Sequence, residues 1–172
     1  MPTIEELAAE VATLSRRVDA SESILEIQAL KARYGELVDQ RFSVGAVVDD
    51  PTLERIADEV AELFTPDGVW DGGAGLGTAT GREAIAARLR QPTLSFSRHL
   101  FVKPRIRVDG DGAWARWDLL SPCRRPDGRS YWMCGYEDDE YTRTDGTWLH
   151  RSMRLTTVFM APAGEGWTRI LA

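Results

Sequence analysis

Histidine and cysteine are the scarce residues of this chain, with two of each among 172. Cys123 and Cys134 lack the paired spacing of a zinc site and are too few for a disulfide framework. Neither a metal nor a cross-linked scaffold is therefore expected, and a reducing cytoplasm is the simple reading. No apolar run approaches the roughly 20 residues that cross a bilayer. The opening Met1-Pro2-Thr3-Ile4-Glu5-Glu6 is acidic and amphipathic, where a signal peptide would be basic and then apolar. An excess of positive charge is missing too: 21 Lys and Arg face 27 Asp and Glu, for a net charge of -6. A face able to neutralise phosphates is thus not expected, and neither nucleic acid nor a membrane is expected as a partner. The glycines of Asp71-Gly72-Gly73-Ala74-Gly75-Leu76-Gly77 have neither the Lys-Ser/Thr of a phosphate loop nor dinucleotide-site spacing, so they predict a flexible rim. A G-x-S-x-G nucleophile motif is also lacking.

What is present suits one domain over residues 1–172, since 43% hydrophobic content supports a single sizeable core. Thr3, followed by Glu5 and Glu6, starts a helix with a narrow apolar stripe of Ile4, Leu7, Val11, Leu14 and Val18. Residues 1–22 form a helical extension suited to self-association. Ser21-Glu22-Ser23 leaves two readings open, one long helix or an arm that breaks and is capped anew there. Beyond it, Ile24, Ile27, Leu30, Tyr34, Leu37 and Val38 mark a wider apolar face. Residues 43–50 read as a connector, and Asp50-Pro51 opens a third helix. Thr65-Pro66-Asp67-Gly68 reads as a turn, Val69-Trp70 as a short strand and residues 82–90 as a short helix. Turn signals at 109–112, 126–128 and 144–146 then separate long alternating segments. Helices first and an antiparallel meander after is an α+β order.

Of the two histidines, His99 opens a strand-like segment, and the best upstream acid is Asp39. A carboxylate that orients an imidazole in an apolar cavity is the smallest device for moving a proton at neutral pH. Asp39 lies near a helix C-terminus, where the macrodipole disfavours a carboxylate, so a compensating cation or donor is expected. The residues alone leave Asp39 either paired with His99 or neutralised by a surface arginine such as Arg41. They leave His99 either an acid/base or a structural hydrogen-bonder. Tyr34 stands five residues, about 140°, round the helix from Asp39, so both address one cavity only if the helix end curls into it. His150, within a strand, reads as structural or pocket-lining. Tryptophans and late-strand methionines suit a cavity for a flat apolar ligand and suit an ordinary core equally.

Taken in order, these pieces resemble the SnoaL-like branch of the nuclear transport factor 2-like superfamily, which includes polyketide cyclases, scytalone dehydratase, bile acid 7α-dehydratase and hexachlorocyclohexane dehydrochlorinase. The resemblance is carried by Arg33-Tyr34 ahead of Val38-Asp39, Leu63-Phe64-Thr65-Pro66-Asp67-Gly68-Val69-Trp70, Gly81-Arg82-Glu83-Ala84-Ile85, Arg98-His99 and the segment from Tyr141 to Trp148. It implies a cone-shaped α+β barrel, with N-terminal helices packed on a curved, mostly antiparallel sheet. It also implies a homo-oligomer, a dimer or trimer. The resemblance places Asp39 and His99 on the family's Asp-His pair, with Tyr34 as the third catalytic residue. The expected activity is that of a cofactor-independent lyase, foremost a dehydratase, acting on a hydrophobic cyclic, aromatic or steroid-like substrate. Carbon-carbon cleavage, isomerisation, cyclisation and non-catalytic binding of a small molecule are the alternatives. Substrate contacts are expected from Trp70, Trp132, Tyr136, Met153 and Arg154. The family's late-strand arginine has no matching position here.

Overall fold

A computed structural model describes residues 1–164. Its first element, helix α1 (Ile4–Gln40), begins at a capping box in which Thr3 Oγ1 accepts from the Glu6 amide and the Glu6 carboxylate accepts from the Thr3 amide. Of the two readings of residues 21–23, the long unbroken helix is the one found. No proline or glycine falls there, and Ser21 Oγ donates back to the Arg17 carbonyl at 2.9 Å, so its hydroxyl is satisfied inside the helix.

The expected connector carries a small hairpin, β1 (Phe42–Ser43) and β2 (Ala46–Val47). Val44 and Gly45 both have positive φ at its tip, the geometry that matches strand twist. Asp49 caps helix α2 (Asp50–Ala61) by accepting from the Thr52 amide at 2.9 Å. Then follow β3 (Phe64–Asp71), β4 (Thr78–Thr80), α3 (Arg82–Leu89), β5 (Phe96–Ser97), β6 (Leu100–Asp109), β7 (Gly112–Arg124), β8 (Ser130–Thr144) and β9 (Thr147–Pro162). The strand expected at 69–70 is thus longer and takes in the turn residues, with an irregular register between Phe64 and Val69.

The large sheet runs β4-β3-β9-β8-β7, with β6 and β5 paired in succession along the far edge of β7. Every pairing is antiparallel except β3 with β9. The sheet is curved, as expected, but it does not close into a barrel. Two register slips bend β9 against β8: Val158 and Arg151 have no partner between flanking pairs. At the first slip Gly135 is required, because a Cβ there would sit 2.3 Å from the Thr156 carbonyl oxygen. The slips reset which β9 residues face inward, so that Trp148, His150, Met153 and Leu155 are buried while Arg151 and Arg154 are not.

Burial of apolar surface holds the helices to the concave face. One cluster joins Tyr34, Leu37, Ile56, Val60, Phe64 and Ile85 across the three helices and β3. A second lies under the middle of α1, with Ile27 against Trp117, Tyr141 and Trp148. The first 16 residues of α1, from Ile4 to Asp19, rest on neither and are exposed all round.

Candidate functional site

The end of α1 remains a regular helix through Gln40. Tyr34 and Asp39 are both brought inside because that end is engulfed on most of its circumference, with Tyr34, Gly35, Leu37, Val38 and Asp39 all buried. The curl expected of the helix is therefore unnecessary. A ring carbon of Phe101 lies 3.3 Å from where a Cβ of Gly35 would stand, so this contact has little room for a side chain.

Asp39 Oδ1 lies 2.7 Å from His99 Nδ1 and accepts the His99 amide at 3.0 Å. Arg98 Nε stands 3.2 Å from Oδ2. Three donors thus answer a carboxylate that the helix dipole disfavours. A carboxylate on Nδ1 places the ring proton there and leaves a lone pair on Nε2. The imidazole packs on Phe101, ring centres 5.9 Å apart, and borders a cavity of about 390 Å³. Asp39 does not line that cavity; it reaches His99 from behind.

Tyr34, Trp70, Leu89 and Met153 belong to the first core cluster and also line the cavity. Trp70 Nε1 donates to the Tyr34 hydroxyl at 3.0 Å, which leaves the phenolic proton for another acceptor. Burial holds this phenol well above the ordinary tyrosine range, so it remains a donor. The expected glycine rim is at the cavity edge, where Gly72, Gly75 and Leu76 contribute.

Of the expected substrate contacts, Trp70 and Met153 line the cavity, whereas Trp132, Tyr136 and Arg154 do not. The reason is strand alternation. In β8, Met133 and Glu137 face the cavity, so Trp132 and Tyr136 fall on the opposite face, where Tyr136 stacks on Arg116 at 4.3 Å. In β9, Arg154 lies between inward Met153 and Leu155, points outward and pairs with Asp71 at 3.3 Å. His150 is fully buried among Tyr34, Phe64 and Tyr141 and does not line the cavity. Burial, then the charge of Lys31, holds it well below the usual histidine range, so it is a neutral core ring.

A buried ionic group behind the cavity was not anticipated from the sequence. Lys31 Nζ bonds Glu137 Oε2 and, at 2.7 Å, Asp139 Oδ2, which also accepts from the Tyr141 hydroxyl at 2.7 Å. Burial alone would discharge Lys31, but the two carboxylates outweigh it and hold the ammonium above the ordinary lysine range. Glu137 lines the cavity, so this group presents one carboxylate to a ligand. Two signals were available. Lys31 lies four residues after Ile27 and three before Tyr34, on the buried helical face, and β8 alternation puts Glu137, Asp139 and Tyr141 on one side. Arg41 and Arg88, which also line the cavity, were likewise missed in that role.

The SnoaL-like domain family matches residues 19–154. No functionally curated protein matches the chain. Among solved structures, a type 2 hexachlorocyclohexane dehydrochlorinase (LinA) is 22% identical over 83% of this chain and 90% of its own, with a TM-score of 0.67. The LinA-type3 enzyme from Novosphingobium barchaimii LL02 is 20% identical over 83% of this chain and 91% of its own, TM-score 0.68. A candidate scytalone dehydratase from Novosphingobium aromaticivorans DSM 12444 is 21% identical over 82% and 87%, TM-score 0.66. These likenesses establish a shared fold, and the match across residues 19–154 establishes the kinship: the chain belongs to the SnoaL-like domain family.

Proposed function

We propose that this protein is a cofactor-independent lyase, a dehydratase acting on a hydrophobic cyclic hydroxy compound. The observation that carries the reading is the 2.7 Å contact between Asp39 Oδ1 and His99 Nδ1 beside a cavity lined in part by Trp70, Leu119, Met133 and Met153. His99 Nε2 takes a proton from a carbon next to a carbonyl, and Asp39 stabilises the imidazolium that forms. Tyr34 donates to the carbonyl oxygen and stabilises the enolate. The electron pair then forms the carbon-carbon double bond as the C–O bond breaks. The imidazolium returns the proton to the departing hydroxide as water, which resets His99. Proton transfer by these groups requires neither metal nor nucleotide. Similarity to a dehydrochlorinase and a candidate dehydratase agrees with an elimination.

The test is turnover of a panel of cyclic β-hydroxy ketones, followed by absorbance of the conjugated product. His99→Ala and Asp39→Asn are expected to lose about 10²- to 10⁴-fold in rate while melting nearly as the parent does. Undiminished turnover in either folded variant would falsify the assignment.

The assembly proposed is a dimer through α1. Ile4, Val11, Val18 and Leu25 recur every seven residues, with Leu7 and Leu14 between them, and all six are exposed. β-Branched residues at the first heptad position and leucine at the fourth favour a parallel two-stranded coiled coil. In that register Arg17 of one copy faces Glu22 of the other. Helices in proteins draw most of their stability from packing an apolar face, so a second copy is the fitting occupant of this stripe.

A further inference from the structure

We propose that Arg41 and Arg88 form a carboxylate-binding pair in the cavity, and that the ligand is an apolar ring or chain bearing one carboxylate. The proposal rests on the reading of this cavity as the substrate site and names the substrate class. Arg41 follows the last turn of α1 and Arg88 sits in the last turn of α3; both line the cavity with His99. Arg41 uses Nε on the Val38 carbonyl at 3.0 Å, and Arg88 uses Nε and Nη1 on the Leu76 and Gln91 carbonyls at 2.9 and 2.8 Å. Backbone oxygens thus aim both guanidinium groups without neutralising them.

Among the described residues, no carboxylate lies within ion-pair distance of either group. The nearby acids are committed elsewhere: Asp39 to His99 and Arg98, Glu137 to Lys31. Burial, and then the like charge of Arg88, pull Arg41 below the ordinary arginine range against the opposing influence of Tyr34 and Asp39. A chain of net charge -6 has therefore placed two uncompensated cations in one partly buried cavity. Such an arrangement costs stability unless an anion enters, and guanidinium forks match a carboxylate by paired N–H···O bonds. Arg88 also lies over the Trp70 ring at 5.7 Å, next to the Tyr34 hydroxyl. The anionic end of the ligand is thereby fixed at the Trp70 end of the cavity, and its apolar body lies against Leu119, Met133 and Met153.

The experiment is calorimetric titration of the full chain with 2-naphthoate, uncharged 2-naphthamide and 2-naphthyl phosphate. Naphthoate is expected to bind about ten-fold or more tighter than the amide, with the preference lost in Arg41→Gln and in Arg88→Gln and partly kept in Arg41→Lys. Melting curves check that each variant is folded. His99→Ala should keep the carboxylate preference, so loss of turnover reports on the lyase reading and loss of preference on this one. Equal affinity for acid and amide, no saturable binding of naphthoate, or a preference that survives both glutamine variants overturns the proposal. Tighter binding of the phosphate overturns the choice of carboxylate.

Discussion

Tyr34 accepts a hydrogen bond from Trp70 and still holds a proton to donate, and both facts follow from a single buried oxygen. Tyr34→Phe removes the acceptor but keeps the ring that packs between Phe64 and Phe101. The Trp70 indole N–H is then stranded in a buried wall, at a cost of about 1–3 kcal/mol. Denaturant melts should show that loss, and turnover should fall without a shift in the pH profile, because His99, the proposed proton acceptor, is untouched. A changed pH profile would mean that Tyr34 itself titrates in the reaction. Asp39 shows the same economy: its two oxygens hold the ring, the amide of His99 and the Arg98 side chain. These are contacts that a helix-terminal carboxylate needs in any case.

At the scale of elements, the junction of α1 with β8 is ionic. Asp139 is pushed up to about 6, chiefly by burial and secondarily by Glu137, against the opposing charge of Lys31. The folded chain therefore holds a proton at pH values where the unfolded carboxyl, near 3.8, has released it. Its contribution is complete below about pH 4 and is lost as pH rises through about 6. Asp139→Asn keeps a neutral group throughout and leaves Lys31 a single carboxylate, Glu137. The melting temperature of the variant relative to the parent should accordingly rise between about pH 4 and pH 7. A difference independent of pH would show that Asp139 is charged in the fold at every pH tested.

For the whole molecule, the α1 arm and the sheet answer different requirements. The sheet and the helices that cover it enclose the cavity, while the arm carries its own apolar stripe out into solvent. Light scattering of the full chain should give twice the monomer mass, 19.2 kDa. Leu7→Glu combined with Leu14→Glu should return the monomer mass with the thermal transition of the domain retained. A trimer, or a mass indifferent to these changes, would overturn the coiled-coil register.

The amino-acid sequence by itself determined whatever is local or periodic. The capping box at Thr3, the helical stripes, the late turn signals and the α+β order are short-range physics, readable residue by residue. Residues 21–23 stay open between a break and a long helix because serine signals a cap by local competition, and only the surrounding helix decides whether its hydroxyl bonds back to a carbonyl. His99 and Asp39 were legible as chemical types, through scarcity and resemblance, but their 2.7 Å contact joins residues 60 positions apart. The inside and outside of β9 were not legible. Two register slips reset the alternation, which leaves Met153 in the cavity and Arg154 outside it. Only the tertiary structure could decide those positions, or set Lys31 against Glu137 and Arg41 beside Arg88. Burial and long-range pairing convert residues that read as surface charges into an interior ion group and a site for an anion.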